Sequence, residues 1–193
     1  MTWLALYPRA LGDAWEQLPA PVRACHDACP RLSAEGPFVV ERSRSWLARV
    51  ALFAGGMPAA GEDIPLRLEV YAERDSQRWE RRFGAFVMTT IQRLLPDGRM
   101  SEQRGPLELL FWVTADGGAI HYRPAGLRLC LGPLRIPLPS WLGPRVEARA
   151  WREPGDHRMS VRVVMALPLL GEVISYGGPL APLVGGSPPE VSG

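Results

Sequence analysis

From position 64 to position 167 the chain alternates apolar and polar residues with a period of two over most of its length. That pattern marks strands with one face toward a core and the other toward water or a lined cavity. Ile64, Leu66, Leu68, Val70 and Ala72 are interleaved with Arg67, Glu69, Tyr71 and Glu73; Leu107, Leu109, Phe111 and Val113 repeat the theme, as do Met159, Val161, Val163, Met165 and Leu167. The alternation predicts strands over 38–42, 64–74, 78–83, 86–94, 98–104, 107–114, 119–131, 146–151, 158–167 and 172–176. Before them the period lengthens. Asp13 is placed to cap a helix over 14–18, and Pro21 suits the first turn of another over 21–29. A third helix, 46–54, ends at Gly55-Gly56 and is expected to bury Trp46 against the sheet together with Leu47, Val50 and Phe53.

The segments between strands are short and turn-prone: Arg74-Asp75-Ser76, Pro96-Asp97-Gly98, Asp116-Gly117-Gly118 and Pro154-Gly155-Asp156. Short turns make neighbouring strands antiparallel, and so many strands must protect their edges or close on themselves. The expected fold is mainly β, a curved antiparallel sheet or barrel of about eight to nine strands with short N-terminal helices. Pro124 and Gly126 require a bulge or a break in 119–131. Three prolines in 132–143 predict a loop crossing one mouth of the barrel, and the proline- and glycine-rich tail that begins at Pro179 is expected to be disordered, leaving one β-rich domain over 1–180 and a disordered tail over 181–193.

Composition narrows the classes of function. Twenty-two basic against twenty acidic residues leave no electrostatic footprint for nucleic acid. Every basic residue is Arg; Lys and Asn are absent, which points to a GC-rich, bacterial genome and excludes a Schiff-base or phosphate-loop lysine. No apolar run reaches the roughly 20 residues of a membrane-spanning helix, and residues 1–10 lack the basic start of a secretory signal, so a cytoplasmic location is expected. Three cysteines make no disulfide framework, and reduced thiols are expected.

The blocks ERSRSWLARVALFAGGMPAAGEDIPLRLEV (41–70), WERRFGAFVMTT (79–90), EQRGPLELLFWV (102–113), PLPSWLGPRVEARAW (137–151) and LPLLGEVISYGGPL (167–180) resemble, in order and spacing, a bacterial family catalogued as a domain of unknown function, number 4166. The resemblance covers nearly the whole chain and implies no established activity. It does imply a domain that occurs alone or joined to others, some resembling nicotinamide-dependent oxidoreductases, so a partner oxidoreductase domain enters as an expectation. Members also tend to carry a histidine where His26 stands.

Candidate chemistry has to be judged by residue type and placement, because the chain lacks a Gly-x-Ser-x-Gly elbow, a His-Glu-x-x-His and a dinucleotide fingerprint. Cys25, His26 and Cys29 share a helical face, but a zinc site needs a fourth ligand and only the isolated Cys130, His121 and His157 remain. We read the trio as core and expect no metal and no cofactor. For His26 the helix-end position suggests a charged capping role beside a catalytic one. Glu41 and Arg44 next to Trp46 form a polar anchor for a ligand or a structural ion pair. His121 lines a cavity only if the barrel is hollow and the residue turns inward. Trp79 and Arg81 face one side of their strand, Arg78, Glu80 and Arg82 the other, while Arg93, Glu102 and Arg104 suggest a cross-strand charge ladder. Aromatics in or beside strands fit the wall of an apolar pocket or a filled core equally.

The expected catalytic residues are therefore His121, Glu41 and Arg44, and the expected ligand contacts Trp46, Trp79, Phe86, Trp112, Tyr122 and Trp151. Two functions fit: binding of an apolar, lipid-like or polyketide-like molecule, or a cofactor-independent cyclase or isomerase acting on one. Converging polar groups inside the cavity would separate them.

Overall fold

The computed structural model describes residues 6–28 and 30–183. Eleven strands form one antiparallel sheet: β1 (Arg31–Arg42), β2 (Gly61–Ala72), β3 (Gln77–Phe83), β4 (Phe86–Leu94), β5 (Met100–Arg104), β6 (Leu107–Asp116), β7 (Ala119–Leu131), β8 (Leu134–Leu138), β9 (Arg145–Trp151), β10 (Met159–Leu167) and β11 (Gly171–Pro182). Pairing of β6 with β7 and of β1 with β11 closes ten of them into a barrel, and β8 hangs on β7 as an extra strand. Closure removes the open edges that so many strands would otherwise expose.

Strand direction gives the barrel two distinct ends. At the floor end lie α1 (Leu6–Leu11), a 3-10 turn over Gly12–Trp15 and α2 (Ala20–Ala24). At the mouth end lie α3 (Trp46–Ala54), the tight turns after β3, β5 and β10, and the segment joining β8 to β9. Tyr7, Trp15, Leu18, Val22 and Cys25 bury into the floor end and join the core made by Leu66, Leu68, Val70, Met100, Ile120 and Ile174. The β1–β11 seam is tight: a Cβ at Gly178 would collide with the Pro37 carbonyl oxygen and the Phe38 ring, so this crossing admits only glycine.

Several expectations change in the folded chain. Helix 14–18 is replaced by the 3-10 turn, with Asp13 inside it and α1 ahead of it, and the helix expected over 21–29 is the shorter α2. Segment 132–143 does not cross the mouth; β8 pairs with the later half of β7, the half that β9 leaves unpaired. Pro137 is tolerated because β8 has a neighbour on only one side. The tail does not loosen at Pro179: β11 runs on to Pro182 with Leu180 buried against the floor helices, and the rest of the tail lies outside the described residues. The bulge required by Pro124 and Gly126 is present, with the register shifting opposite Leu110 and Phe111 and Gly126 at φ 143°.

Candidate functional site

The barrel encloses a cavity of about 790 Å³. Eight strands close a barrel just wide enough to be filled by side chains or to hold one small ligand, so ten leave a lumen. Inward positions of the ten barrel strands supply an apolar wall, with Leu68, Met88, Leu109, Val163 and Met165 prominent in it. The volume falls within the roughly 300–1,000 Å³ typical of small-molecule pockets.

At the floor the wall turns polar. Tyr7, delivered by α1, donates to Gln92 Oε1 on β4 at 2.8 Å and lies 2.9 Å from the Tyr122 hydroxyl on β7. Tyr122 is also 3.1 Å from His26 Nε2, and His26 Nδ1 meets the Val22 carbonyl, one helical turn back, at 2.8 Å. The Tyr7 and His26 rings meet edge to face at 4.5 Å, which fixes both. Burial pushes His26 down to about 4, against the Val22 bond that favours protonation, so the ring is neutral at pH 7. The expected charged cap at this helix end is therefore corrected: the Val22 contact is made, but by a neutral imidazole.

The proton count along this chain has a consequence. Because only a carbonyl faces it, Nδ1 carries the ring proton and Nε2 must accept. Three contacts follow, His26 to Tyr122, Tyr122 to Tyr7 and Tyr7 to Gln92, and the two hydroxyls hold one proton each. The Gln92 amide is held in this orientation by donating Nε2 to Glu102 at 3.3 Å. One contact always lacks its proton, so the Tyr122 proton is shared between a basic nitrogen and a neighbouring hydroxyl. Burial raises both tyrosines well above their ordinary range and keeps them protonated.

Higher on the wall, Arg81 of β3 donates to Glu102 of β5 at 2.9 Å and to Thr90 at 2.9 Å, and its guanidinium lies 5.1 Å from the Trp79 ring centre. Their side chains are 15% and 20% exposed, and both line the cavity. Burial opposes both charges, but each partner outweighs it, holding Glu102 low and Arg81 high, so the pair stays ionised. At the mouth, Arg104 reaches from β5 to the carbonyls of Gly55 and Gly56 at 2.9 and 2.6 Å, and Arg42 of β1 donates to the Met57 carbonyl at 2.8 Å. The segment after α3 is thus tied from two strands well apart around the barrel, and α3 with its trailing glycines lines the cavity from above.

A family model described as a domain of unknown function, DUF4166, matches residues 18–180. The chain belongs to the DUF4166 family. The matched span takes in His26, the Arg81–Glu102 pair, Tyr122 and almost all of the DUF4166 barrel, whereas α1 with Tyr7 precedes it. No match was found among curated proteins or among solved structures.

Of the residues expected from the sequence, Trp79 and Tyr122 line the cavity. The others do not. His121 lies between Ile120 and Tyr122, both inward, so it points to the outer face. Glu41 accepts from Ser175 at 3.1 Å and shares a shallow outer groove with Trp151, whose indole donates to Glu153. Arg44 and Trp46 are exposed, the latter by 70%, Trp112 is half exposed, and Phe86 packs at the core margin near the mouth. Sequence reasoning missed Tyr7, Gln92, Glu102 and Arg104. For three of them a signal existed: once Met88 and Met100 are placed inward, the two-residue period carries Gln92, Glu102 and Arg104 inward too. That also corrects the charge ladder, since Arg93 lies on the opposite face and donates to Gln103 instead. Nothing local marks Tyr7. Of the Cys-His-x-x-Cys set, Cys25 is a buried free thiol and Cys29 lies outside the described residues; no group of three metal-ligating side chains occurs among the described residues.

Proposed function

We propose that this DUF4166 barrel binds an apolar small molecule, lipid-like or polyketide-like, with its polar end toward Tyr122 and the Arg81–Glu102 pair. The observation that carries this reading is the cavity itself, apolar on its walls and polar at a few converging points, which is the make-up of a pocket that recognises one orientation of a ligand. A hydrophobic fluorescent probe is expected to bind with a stoichiometry near one and to quench emission from Trp79, and medium-length fatty acids should displace it. Val163→Trp, which projects an indole into the cavity from β10, should reduce probe affinity at least about tenfold while near-ultraviolet dichroism stays folded. Equal binding by this variant and the parent chain would place the probe elsewhere and sink the reading.

The proton-deficient chain His26–Tyr122–Tyr7 favours a second reading from a different class, a cofactor-independent cyclase or isomerase. Neutral His26 would accept a proton through Tyr122 while the cavity holds a flexible substrate folded. Molecules co-purifying with the protein, identified by native mass spectrometry, give the substrates to try. Turnover lost in His26→Gln and Tyr122→Phe with probe binding retained is the outcome expected of an enzyme; unchanged composition of every bound molecule on incubation leaves the carrier.

A further inference from the structure

We propose that the mouth end of the barrel docks on an anionic lipid surface, with α3 lying in the interface. The exposed large apolar side chains of the described residues are not scattered. Seven sit at the mouth end on connections distant in sequence, with Trp46, Leu47, Val50 and Phe53 on α3, Trp141 and Leu142 before β9, and Leu169 in the turn after β10; Val87, Leu107, Leu131 and Leu134 lie on strands near the same end. Phe53 is 86% exposed and Leu169 fully so. A soluble surface tolerates such residues singly, whereas a set collected around one opening marks a place where something apolar is met.

Helix α3 shows how the surface is built. Ala48 and Leu52 turn to the barrel and are buried, leaving Trp46, Val50 and Phe53 on the opposite side with Arg49 beside them. Large apolar side chains next to a long cationic one suit the boundary between acyl chains and phosphates, where the rings leave water and the guanidinium reaches the headgroups. Charge sorts the two ends in the same sense. The connections at the mouth carry Arg44 and Arg49 and no acid, with Glu62, Asp63 and Glu172 near the start of the strands that leave them, whereas the turns at the opposite end mix Glu73, Asp75, Asp97, Glu153 and Asp156 with Arg74, Arg99, Arg152 and Arg158. An anionic surface is therefore met without like-charge repulsion from the connecting loops at one end only. The strands themselves remain in water, since outward positions hold Arg67, Arg82, Glu147 and Arg149. Both ends of the described chain lie at the floor end, away from this surface.

The docking rests on the exposed end alone; that it lets an apolar ligand pass between bilayer and cavity without crossing water rests also on the proposed function. Sedimentation with vesicles of phosphatidylcholine alone and of phosphatidylcholine with phosphatidylglycerol in equal parts tests it. The chain should partition onto the anionic vesicles, more weakly onto the neutral ones. Trp46→Ser combined with Phe53→Ser should lower that partition about tenfold or more, and Arg44→Glu with Arg49→Glu should remove the preference for anionic lipid. Trp112→Ser, an exposed tryptophan on the barrel side, should change nothing. All four positions on α3 and its approach are exposed, so these variants keep their fold, which dichroism verifies.

A parent chain that stays in the supernatant with both vesicles overturns the proposal, as does equal sedimentation of the Trp46/Phe53 variant. A concentration-dependent dimer that this variant abolishes, without vesicle binding, assigns the face to a second copy of the chain instead. Probe binding measured without vesicles separates the two readings, because a chain that sediments yet binds no probe keeps the docking and loses the pocket.

Discussion

His26 has one ring nitrogen on the Val22 carbonyl and the other against the Tyr122 hydroxyl, and burial holds its ionisation at about 4. The consequence for stability has a definite sign. An unfolded histidine titrates near 6.5, so as pH falls below that value the unfolded chain takes up a proton that the folded chain refuses. The stability attached to neutral His26 is complete above about pH 6.5 and is lost as pH falls toward 4, by up to about 3 kcal/mol. Urea midpoints measured from pH 7 to pH 4 should decline more steeply for the parent chain than for His26→Gln. Parallel curves would mean that His26 is protonated inside the fold.

Helix α3 is apolar around most of its circumference, so periodicity groups Trp46 with Val50 and Phe53 and Ala48 with Leu52 without saying which group packs. The barrel wall beneath it takes the smaller side chains. Trp46→Ala is accordingly expected to move stability by less than about 0.5 kcal/mol, where a buried tryptophan would cost roughly 3–5 kcal/mol. Leu52→Ala, at 2% exposure, should cost about 2–5 kcal/mol, and thermal unfolding of the two variants side by side decides the orientation of the helix. The Arg104 bonds to Gly55 and Gly56 form the other restraint on this element. Removing them in Arg104→Ala should make amide exchange over 46–57 roughly tenfold faster while the strand ladders exchange as before. Unchanged exchange there would show that α3 is held by its buried face alone.

The closed barrel explains why a chain of this size keeps a cavity. Hydrogen bonds run around the circuit from β1 through β7, β9 and β10 to β11, so the wall is held by backbone pairing and not by a filled centre. The floor helices supply the plug that a ten-stranded lumen needs at one end, and they bring Tyr7 and His26 with them. At the other end β8 extends the wall beside β7, and α3 covers the opening under its Arg104 and Arg42 ties. Among the described residues no helix is long and apolar enough to cross a membrane.

The amino-acid sequence alone determined ten of the eleven strands at least in part, their antiparallel order and the tendency to close, because a two-residue period and turn chemistry are local properties of the chain. The strands it predicts leave out β8, the first half of β1 and the last part of β11. The strand Phe86–Leu94 and the strand Ala119–Leu131 with its bulge at Pro124 and Gly126 are legible to the residue. Trp79 and Tyr122 could be proposed as pocket residues because alternation places each on a face. Which face is inside was another matter. His121 is excluded from the cavity only by knowing that Ile120 and Tyr122 turn inward, and Trp46 is exposed only because Ala48 and Leu52 fit the wall. The polar floor joins Tyr7 to Gln92 across 85 positions and His26 to Tyr122 across 96. Separations of that size carry no mark in a single sequence, since what brings such groups together is the register of strands and helices that meet only when the barrel closes.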